Sequence, residues 1–218
     1  MKRSSQAPVC PLCSAEQTLR FAGTQQREFF RCAGCSLIFT DPASFPDSAQ
    51  ERERYAHHRD DINNETYRAY LLQLLRPLLE RVSHGDVGLD YGCGPAKVVA
   101  ELMSKSGSET SSFDPFFFNN PEVLQRKYDF IFCGEVVEHF HQPRMEFERL
   151  NSLLKPAGLL EIVTGNYRED MSFHDWWYIR DATHVGFYCE QTLSWLAERF
   201  GWKILTRNGD ISLFKKGD

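Results

Sequence analysis

Two glycines placed directly after an apolar stretch constrain this chain more than any other feature. Val87–Tyr91 has the pattern of a buried strand, and it runs into Asp90-Tyr-Gly92-Cys-Gly94. Glycines at such a place let the backbone turn sharply from strand to helix and approach a ligand closely. The free amides at the start of the following helix suit an anionic group. The loop therefore predicts a strand–turn–helix unit built around a ligand.

From this loop onward, strand and helix patterns alternate. Predicted strands are Val87–Tyr91, Thr110–Phe113, Tyr128–Cys133, Leu159–Thr164, Trp202–Thr206 and Ile211–Lys215, and predicted helices are Glu65–Val82, Lys97–Ser104, Pro143–Leu154 and Gln191–Phe200. The last two strands flank Asn208-Gly209, a strong hairpin signal. We expect an α/β fold with a Rossmann-like, doubly wound, mostly parallel sheet and a C-terminal antiparallel hairpin. Pro77 predicts a kink or break of the first helix near Arg76.

Two Cys-x-x-Cys pairs near the start of the chain predict a metal site. Cys10-Pro-Leu-Cys13 and Cys32-Ala-Gly-Cys35 are separated by 18 residues, a spacing typical of four-cysteine zinc sites. Tetrahedral zinc takes four soft ligands, and each pair supplies two of them. A module of about 35 residues also needs a cross-link such as a bound metal, because it cannot build an adequate hydrophobic core. We therefore expect a zinc ribbon with structural Zn²⁺ on Cys10, Cys13, Cys32 and Cys35, rather than four unligated thiols.

The chain divides into three predicted parts. Residues 1–45 form the zinc ribbon, residues 46–64 a linker or lid that contains His57-His58, and residues 65–218 the large domain. The 218 residues leave room for one domain of ordinary size beside a small module. The hydrophobic content of 42% is that of a globular protein.

An acid twenty residues after the glycine loop narrows the kind of ligand. Asp114 follows Gly94 at the end of the next predicted strand, where an acidic side chain can bind ribose hydroxyls. A nicotinamide dinucleotide site would need Gly-x-Gly-x-x-Gly, and Lys97 stands at the sixth place. The missing third glycine disfavours a pyrophosphate-binding helix.

Three segments together resemble a known enzyme family. Leu89–Gly94 resembles the first motif of class I S-adenosylmethionine-dependent methyltransferases, and Tyr128–His139 and Leu154–Gly158 resemble their fourth-strand and fifth-strand signatures. With the ribbon ahead of it, the chain is similar to a bacterial subgroup that includes zinc-containing sugar methyltransferases. The resemblance implies S-adenosylmethionine as cofactor. Its implied binding residues are Asp90, Gly92, Cys93, Gly94, Asp114, Pro115, Cys133, Gly134 and Glu135.

The chain departs from the family pattern in two places. Ala96 replaces the usual third glycine of the first motif. Only 14 residues separate Asp114 from Asp129, which leaves little room for a further helix and strand with an adenine-binding acid. Either Phe116–Phe118 cover the adenine ring, or at least one of them is a core residue.

Two regions at the predicted carboxyl edge of the sheet could carry the chemistry. In the first, Glu138 and His139 either hold a divalent metal or hydrogen-bond the loop. In the second, Trp176–Tyr188, aromatic, basic, acidic and histidine side chains crowd into 13 residues of a long connection. His184 is the candidate base, with Tyr188 added by resemblance to the sugar methyltransferases; a histidine merely satisfied within the loop is the alternative. The candidate substrate-binding residues are Trp177, Tyr178, Arg180 and His139.

Charge and hydropathy bear on the partners. The net charge of −5 argues against nucleic acid, because phosphate backbones attract basic surfaces. No apolar run approaches the roughly 18 residues of a spanning helix and no signal-peptide pattern is visible, so we expect a cytoplasmic protein without membrane association. We predict a small-molecule methyl acceptor with an O, N or C nucleophile, such as a sugar or a secondary-metabolite-like compound. The alternatives are an RNA methyltransferase whose ribbon grips RNA and a non-catalytic S-adenosylmethionine-binding protein; the oligomeric state is not predicted.

Overall fold

A computed structural model describes residues 7–56 and 64–218, and every structural statement below refers to them. The adjacent pair His57-His58 of the predicted linker lies outside the described residues. The strands are β1 (Thr18–Gly23), β2 (Glu28–Cys32), β3 (Ile38–Thr40), β4 (Val87–Tyr91), β5 (Glu109–Phe113), β6 (Tyr128–Gly134), β7 (Leu154–Val163), β8 (Asn166–Tyr167), β9 (Gly186–Cys189), β10 (Trp202–Asn208) and β11 (Ile211–Lys216). The α-helices are α1 (Ser48–Ala56), α2 (Glu65–Leu79), α3 (Val98–Ser104), α4 (Pro143–Leu153) and α5 (Glu190–Phe200).

The larger sheet has six strands in the order β10-β11-β7-β6-β4-β5. Strands β5, β4, β6 and β7 are parallel neighbours, and β11 joins β7 in antiparallel register before β10 closes the hairpin. This confirms the predicted Rossmann-like α/β fold with its C-terminal hairpin. Along the chain, β5 and β6 are connected by a segment that contains a short 3₁₀ turn, Pro121–Gln125, and no further strand. Strand β5 is therefore an edge strand of the described sheet.

Both faces of this sheet are covered, as a mostly parallel sheet requires. On one face α2 and α3 bury Leu75, Leu78 and Met103 against Phe130 and Phe132. On the other face α4 and α5 pack with core residues of β6, β7 and the ribbon. These two apolar layers hold the carboxyl ends of β4, β5 and β6 at one edge.

Local signals set the helix ends. The Asn64 side chain accepts the Tyr67 amide at 3.1 Å and so caps the start of α2. Pro77 lies in the last turn of α2, which continues to Leu79. Of the predicted kink or break near Arg76, the break is therefore wrong, because a proline so near the end removes little of the helical bonding; the kink stays a prediction. Gly201, in the left-handed conformation with φ +67°, ends α5 as predicted.

The cysteine-rich segment forms part of a second sheet that also contains the long connection after β7. The order is β1-β2-β3-β9-β8, and β3 pairs with β9 through Ile38 with Phe187 and Phe39 with Gly186. Apolar residues cover both sides of this sheet: Cys10, Leu12, Leu37 and Phe39 join the core of the large sheet, while Phe29, Ile38, Phe173, Trp176 and Phe187 form an aromatic cluster. The ribbon is thus continuous with the region that holds His184.

Among residues 7–56 and 64–218, no helix combines the length and the apolar character needed to cross a membrane.

Candidate active site

A cavity of about 780 Å³ opens at the carboxyl ends of β4, β5 and β6. This volume lies within the usual range for small-molecule sites. Predicted site residues that line it are Asp90, Gly92, Cys93, Gly94, Asp114, Pro115, Gly134, Glu135, His139, Trp177 and His184. The structure therefore brings most of the two predicted regions, the glycine loop and the His184 connection, to one cavity.

The glycine loop packs too closely against Val136 for any side chain to fit at Gly92. Gly92 has φ +83°, and a Cβ there would stand 2.4 Å from Cγ2 of Val136. Its amide and that of Cys93 both donate to the carbonyl of Phe113, at 2.7 and 3.1 Å. The end of β4 is thereby tied to the end of β5, and Gly94, with φ +63°, begins the turn towards α3.

Asp114 holds the same loop through its side chain. Its Oδ2 accepts the Gly94 amide at 3.1 Å, and its Oδ1 accepts the amides of Phe116 and Phe117 at 2.8 and 3.2 Å. The two amides occupy both lone-pair sites of Oδ1, while Oδ2 retains one site for a ligand hydroxyl. Phe116 and Phe117 line the cavity, while the ring of Phe118 lies 3.9 Å from Nζ of Lys97.

Asp90 lies buried at the floor of the cavity. Its Oδ2 has no hydrogen-bond partner among the described residues, and burial, with Asp114 nearby, raises the pKa of Asp90 to about 8. An unpartnered buried carboxyl is costly by itself and suits a ligand that brings a positive charge or a donor. The amino group of a methionine moiety is such a donor, so the cleft fits the implied cofactor.

The end of β6 bends sharply into the cavity. Glu135 has φ +53°, an uncommon conformation for a residue with a side chain, and burial together with Glu138 raises its pKa to about 8. Gly134 and Glu135 line the cavity, whereas the buried Cys133 packs in the core on the other side of the strand. Cys133 therefore lies beside the cavity residues in sequence but not among them.

Glu138 is the centre of a buried hydrogen-bond network. Its Oε1 accepts the hydroxyl of Tyr178 at 2.6 Å and its Oε2 that of Thr164 at 2.9 Å. Possible ligand atoms of Glu138, His139 and His184 all lie within 4.8 Å of one another. These bonds are those of the hydrogen-bonding alternative, and each Glu138 oxygen keeps a second lone-pair site beside the two histidines.

His184 has a defined ring orientation. Its Nδ1 lies 2.8 Å from the carbonyl oxygen of Tyr178 and must carry a proton to donate there, so Nε2 is the atom that can accept one. Burial lowers the pKa of His184 to about 4, although Glu138 and Asp181 act in the opposite direction. The ring is thus neutral at pH 7, the state that a general base requires.

The structure does not bring every predicted residue to the cavity. Tyr188 is fully buried in β9, where its hydroxyl donates to the carbonyl of Val137 at 3.1 Å. Tyr178 lies behind the cavity wall, in contact with Glu138. Arg180 lines a second cavity of about 700 Å³, which shares Arg54, Trp177 and Asp181 with the first.

Helix α1 supplies residues that the sequence did not single out. The ring of Tyr55 lies 5.1 Å from that of His139 and 5.5 Å from that of Phe116. Arg54 donates from Nε to Oδ2 of Asp181 at 2.9 Å. The only signal for this segment was its place in the predicted linker or lid, because its polar sequence carries no catalytic pattern.

The four cysteines form a compact cluster. Sγ atoms of Cys10 and Cys35 are 3.5 Å apart, those of Cys13 and Cys32 are 3.4 Å apart, and all four lie within 4.8 Å. Sulfurs around tetrahedral zinc are roughly 3.8 Å apart, so the cluster can hold a metal. Both Cys-x-x-Cys turns close alike: Ser14 donates to the carbonyl of Cys10 and Ser36 to that of Cys32, each at 3.0 Å.

Comparison with protein families gives one match that spans most of the chain. The family described as "Methyltransferase domain" matches residues 55–207. That range holds the glycine loop, Asp114 and His184. None of the curated proteins matches the chain.

Solved structures share the fold at low sequence identity. A Burkholderia thailandensis 1,6-didemethyltoxoflavin-N1-methyltransferase has a TM-score of 0.56 and 15% identity, covering 91% of this chain and 99% of its own. An Archaeoglobus fulgidus S-adenosylmethionine-dependent methyltransferase has a TM-score of 0.53 and 20% identity, covering 68% and 94%. A B. thailandensis O-methyltransferase family protein has a TM-score of 0.54 and 13% identity, covering 80% and 65%.

Proposed function

Because the chain belongs to the methyltransferase-domain family and is an S-adenosylmethionine-dependent methyltransferase, we propose that it methylates a small molecule deprotonated by His184. The observation that carries this proposal is the single cavity lined by both the glycine loop and His184. The cofactor-binding and acceptor-binding residues would then line the same cavity, whose volume of about 780 Å³ suits small molecules.

The glycine loop and two acids would hold the cofactor. Gly92 packs so closely against Val136 that a Cβ would not fit, and this contact fixes the loop backbone at the wall of the cavity. We assign Asp90 to the amino group of the methionine part and Asp114 to the ribose hydroxyls, with Cys93, Pro115, Gly134 and Glu135 along the walls. S-adenosylmethionine would supply, when bound, a sulfonium methyl group whose carbon a nucleophile can attack in line, with the sulfur leaving as a neutral thioether that keeps the electrons of the broken carbon–sulfur bond.

His184 would take the proton that the acceptor loses. The donated bond from Nδ1 to Tyr178 leaves Nε2 with its lone pair, and burial keeps the ring neutral before the reaction. As the acceptor's nucleophile bonds to the methyl carbon, its proton passes to Nε2. Glu138 and Asp181 favour the charged ring that results.

The acceptor side is aromatic with a cation at its rim. Trp177 is 65% exposed at the cavity wall, and Arg180 lies in the adjoining cavity. These groups suit a ring or sugar that carries a phosphate or carboxylate. The four cysteines would hold structural Zn²⁺, with residues 1–45 as the ribbon, 46–64 as a linker or lid and 65–218 as the catalytic domain.

Methyl transfer to fractionated cell material tests the proposal. The purified protein is incubated with S-adenosylmethionine labelled with tritium in the methyl group, together with either a small-molecule fraction or total RNA. Label in the small-molecule fraction alone supports the proposal, while label in RNA alone overturns it in favour of the RNA alternative.

A histidine pair tests the base. His184→Ala should lower methyl transfer about 100-fold with unchanged affinity for S-adenosylhomocysteine, since a positioned base contributes roughly that much. His174→Ala changes an exposed histidine of the same connection and should retain full transfer. Equal transfer by wild type and His184→Ala would return His184 to a structural role.

A further inference from the structure

An arginine of the ribbon reaches the connection that carries His184. Arg27 directly precedes β2, in the turn after β1, and its guanidinium donates to four carbonyl oxygens. From one terminal nitrogen it reaches Asp181 and Ala182 at 3.0 Å each and His184 at 3.1 Å; from the other it reaches Ile179 at 3.2 Å. All four carbonyls belong to residues 178–184, which we call the His184 turn.

The His184 turn is held from several sides. The carbonyl of Tyr178 accepts Nδ1 of His184 at 2.8 Å, and that of Thr183 contacts Nδ1 of His139 at 3.0 Å. The side chain of Asp181 accepts the amide and hydroxyl of Thr183 at 2.9 and 2.6 Å and is paired with Arg54 at 2.7 Å. The carbonyls point inwards, where the guanidinium of Arg27 fills the centre.

Converging carbonyl dipoles repel one another unless a donor lies between them. A guanidinium presents five N–H groups in a rigid planar fork, whereas an ammonium offers three donors from a single atom. Only arginine can therefore satisfy carbonyls on both sides of the turn at once. Without it, the turn would open and the Tyr178 carbonyl would move away from His184.

The backbone and the side chain of Arg27 are themselves held by neighbouring residues of the ribbon. The Arg27 amide donates to the hydroxyl of Thr24 at 3.0 Å, and its guanidinium lies 5.1 Å from the ring centre of Phe29. The amide of Thr40 donates to the carbonyl of Val185 at 3.0 Å, next to the β3–β9 pairing. The ribbon is therefore anchored to the connection at a second place, and Arg27 acts from a rigid support.

We propose that Arg27 is a positioning residue, through which the ribbon holds His184 in the Nδ1–H tautomer that leaves Nε2 open as base. This inference rests on the proposed function for the role of His184. It assigns to the cysteine-rich module a part in shaping the acceptor side of the cavity.

Nitrogen-15 spectra of the histidine rings test this at pH 7, with the His184 signals assigned by their loss in His184→Asn. Wild type should show a single Nδ1–H tautomer for His184. Arg27→Lys, which keeps the charge but not the fork, should show a mixture of tautomers and faster hydrogen exchange at residues 179–185. Arg27→Ala should show the same changes more strongly.

The matched control is Arg31→Ala. Arg31 is also a ribbon arginine that reaches the long connection, but it pairs with Glu169 at 2.5 Å, away from the His184 turn. This variant should keep the wild-type tautomer. Metal content and affinity for S-adenosylhomocysteine should be unchanged in the arginine variants.

A single Nδ1–H tautomer with unchanged exchange in Arg27→Lys would overturn the inference, even if Arg27→Ala failed to fold. The proposed function fails separately, if His184→Ala transfers methyl groups as well as wild type does. The tautomer measurement needs no acceptor, so the two failures are distinguishable.

Discussion

The backbone amide of Gly94 donates to Oδ2 of Asp114 across 3.1 Å. The acid at the end of β5 and the glycine loop at the end of β4 are therefore one unit. Loss of the carboxylate would release the loop as well as remove the proposed partner of the ribose hydroxyls.

Asp114→Ala should raise the dissociation constant of S-adenosylhomocysteine at least about 100-fold, since several hydrogen bonds to a charged group are lost together. Isothermal calorimetry measures this. The control is Asp129→Ala, at the opposite end of the sheet, where the carboxylate pairs with Lys155 at 2.7 Å. Unchanged affinity in Asp114→Ala would remove the ribose assignment.

Two glycines with similar backbone angles should respond differently to alanine. Gly92 (φ +83°) and Gly209 (φ +59°) both have positive φ, but a Cβ at Gly92 meets Val136 at 2.4 Å and one at Gly209 meets nothing within 4 Å. Gly209→Ala should cost about 1 kcal/mol of unfolding free energy from backbone strain alone. Gly92→Ala should cost at least about 3 kcal/mol, because overpacking adds to the strain, and should abolish cofactor binding.

Urea unfolding measures the stability of both glycine variants, and calorimetry their cofactor affinity. Equal losses of stability in the two variants would show that the contact with Val136 does not constrain the loop.

His184 should make stability depend on pH in a defined window. Its folded pKa of about 4 lies below the ordinary histidine value of 6.5, so the unfolded chain binds the proton first as the pH falls. The contribution of the neutral His184 ring to the free energy of unfolding is fully present above pH 6.5 and is lost as the pH falls from 6.5 to 4. The full difference between the unfolded and folded pKa of His184 corresponds to at most roughly 3 kcal/mol of unfolding free energy.

His184→Asn should therefore lose less stability than wild type between pH 7.5 and 4.5, as measured by urea unfolding. Buried acids such as Asp90, whose pKa is raised to about 8, are present in both proteins, so their opposite pH dependence cancels in the difference. The exposed His174→Asn should follow wild type. Parallel curves for His184→Asn and wild type would contradict the buried neutral ring.

Cys13→Ser should release about one zinc ion per chain, because a four-cysteine site loses most of its affinity with one thiolate. Elemental analysis measures the metal, and a thermal melt should show a lower midpoint. Cys93→Ser replaces a thiol outside the cluster and should retain the metal. A metal-free wild-type preparation with the midpoint of the loaded protein would argue against a structural zinc.

The parts of the fold that the sequence predicted are those with local signals. The signals that predicted β4, the glycine loop and Asp114 come from residues close together in the chain. The Asn208-Gly209 dipeptide likewise predicted the last hairpin. The short interval before Asp129 likewise indicated little room for a further helix and strand, and the described residues form no strand between β5 and β6. In each case the pattern and its structural cause lie within about 20 residues.

Residues placed by distant contacts could not be foreseen. Tyr188 was predicted to be catalytic by resemblance to the sugar methyltransferases, but the pairing of β9 with β3 and β8 buries it. The sequence did not single out Arg27, because its four acceptors come about 150 residues later. A sequence pattern indicates the buried faces of helices and strands and the positions of turns. It does not indicate which distant segments of the chain contact each other.

The β3–β9 pairing also has a consequence for biosynthesis. Ile38 and Phe39 emerge from the ribosome long before Phe187 and Gly186, their partners in the sheet. Until then β3 is an unpaired apolar edge, open to other chains. Early metal capture by the preceding cysteines would let β1 and β2 form a template on which the connection later assembles. Cells short of metal should therefore accumulate aggregates of the nascent protein before they lose any finished enzyme.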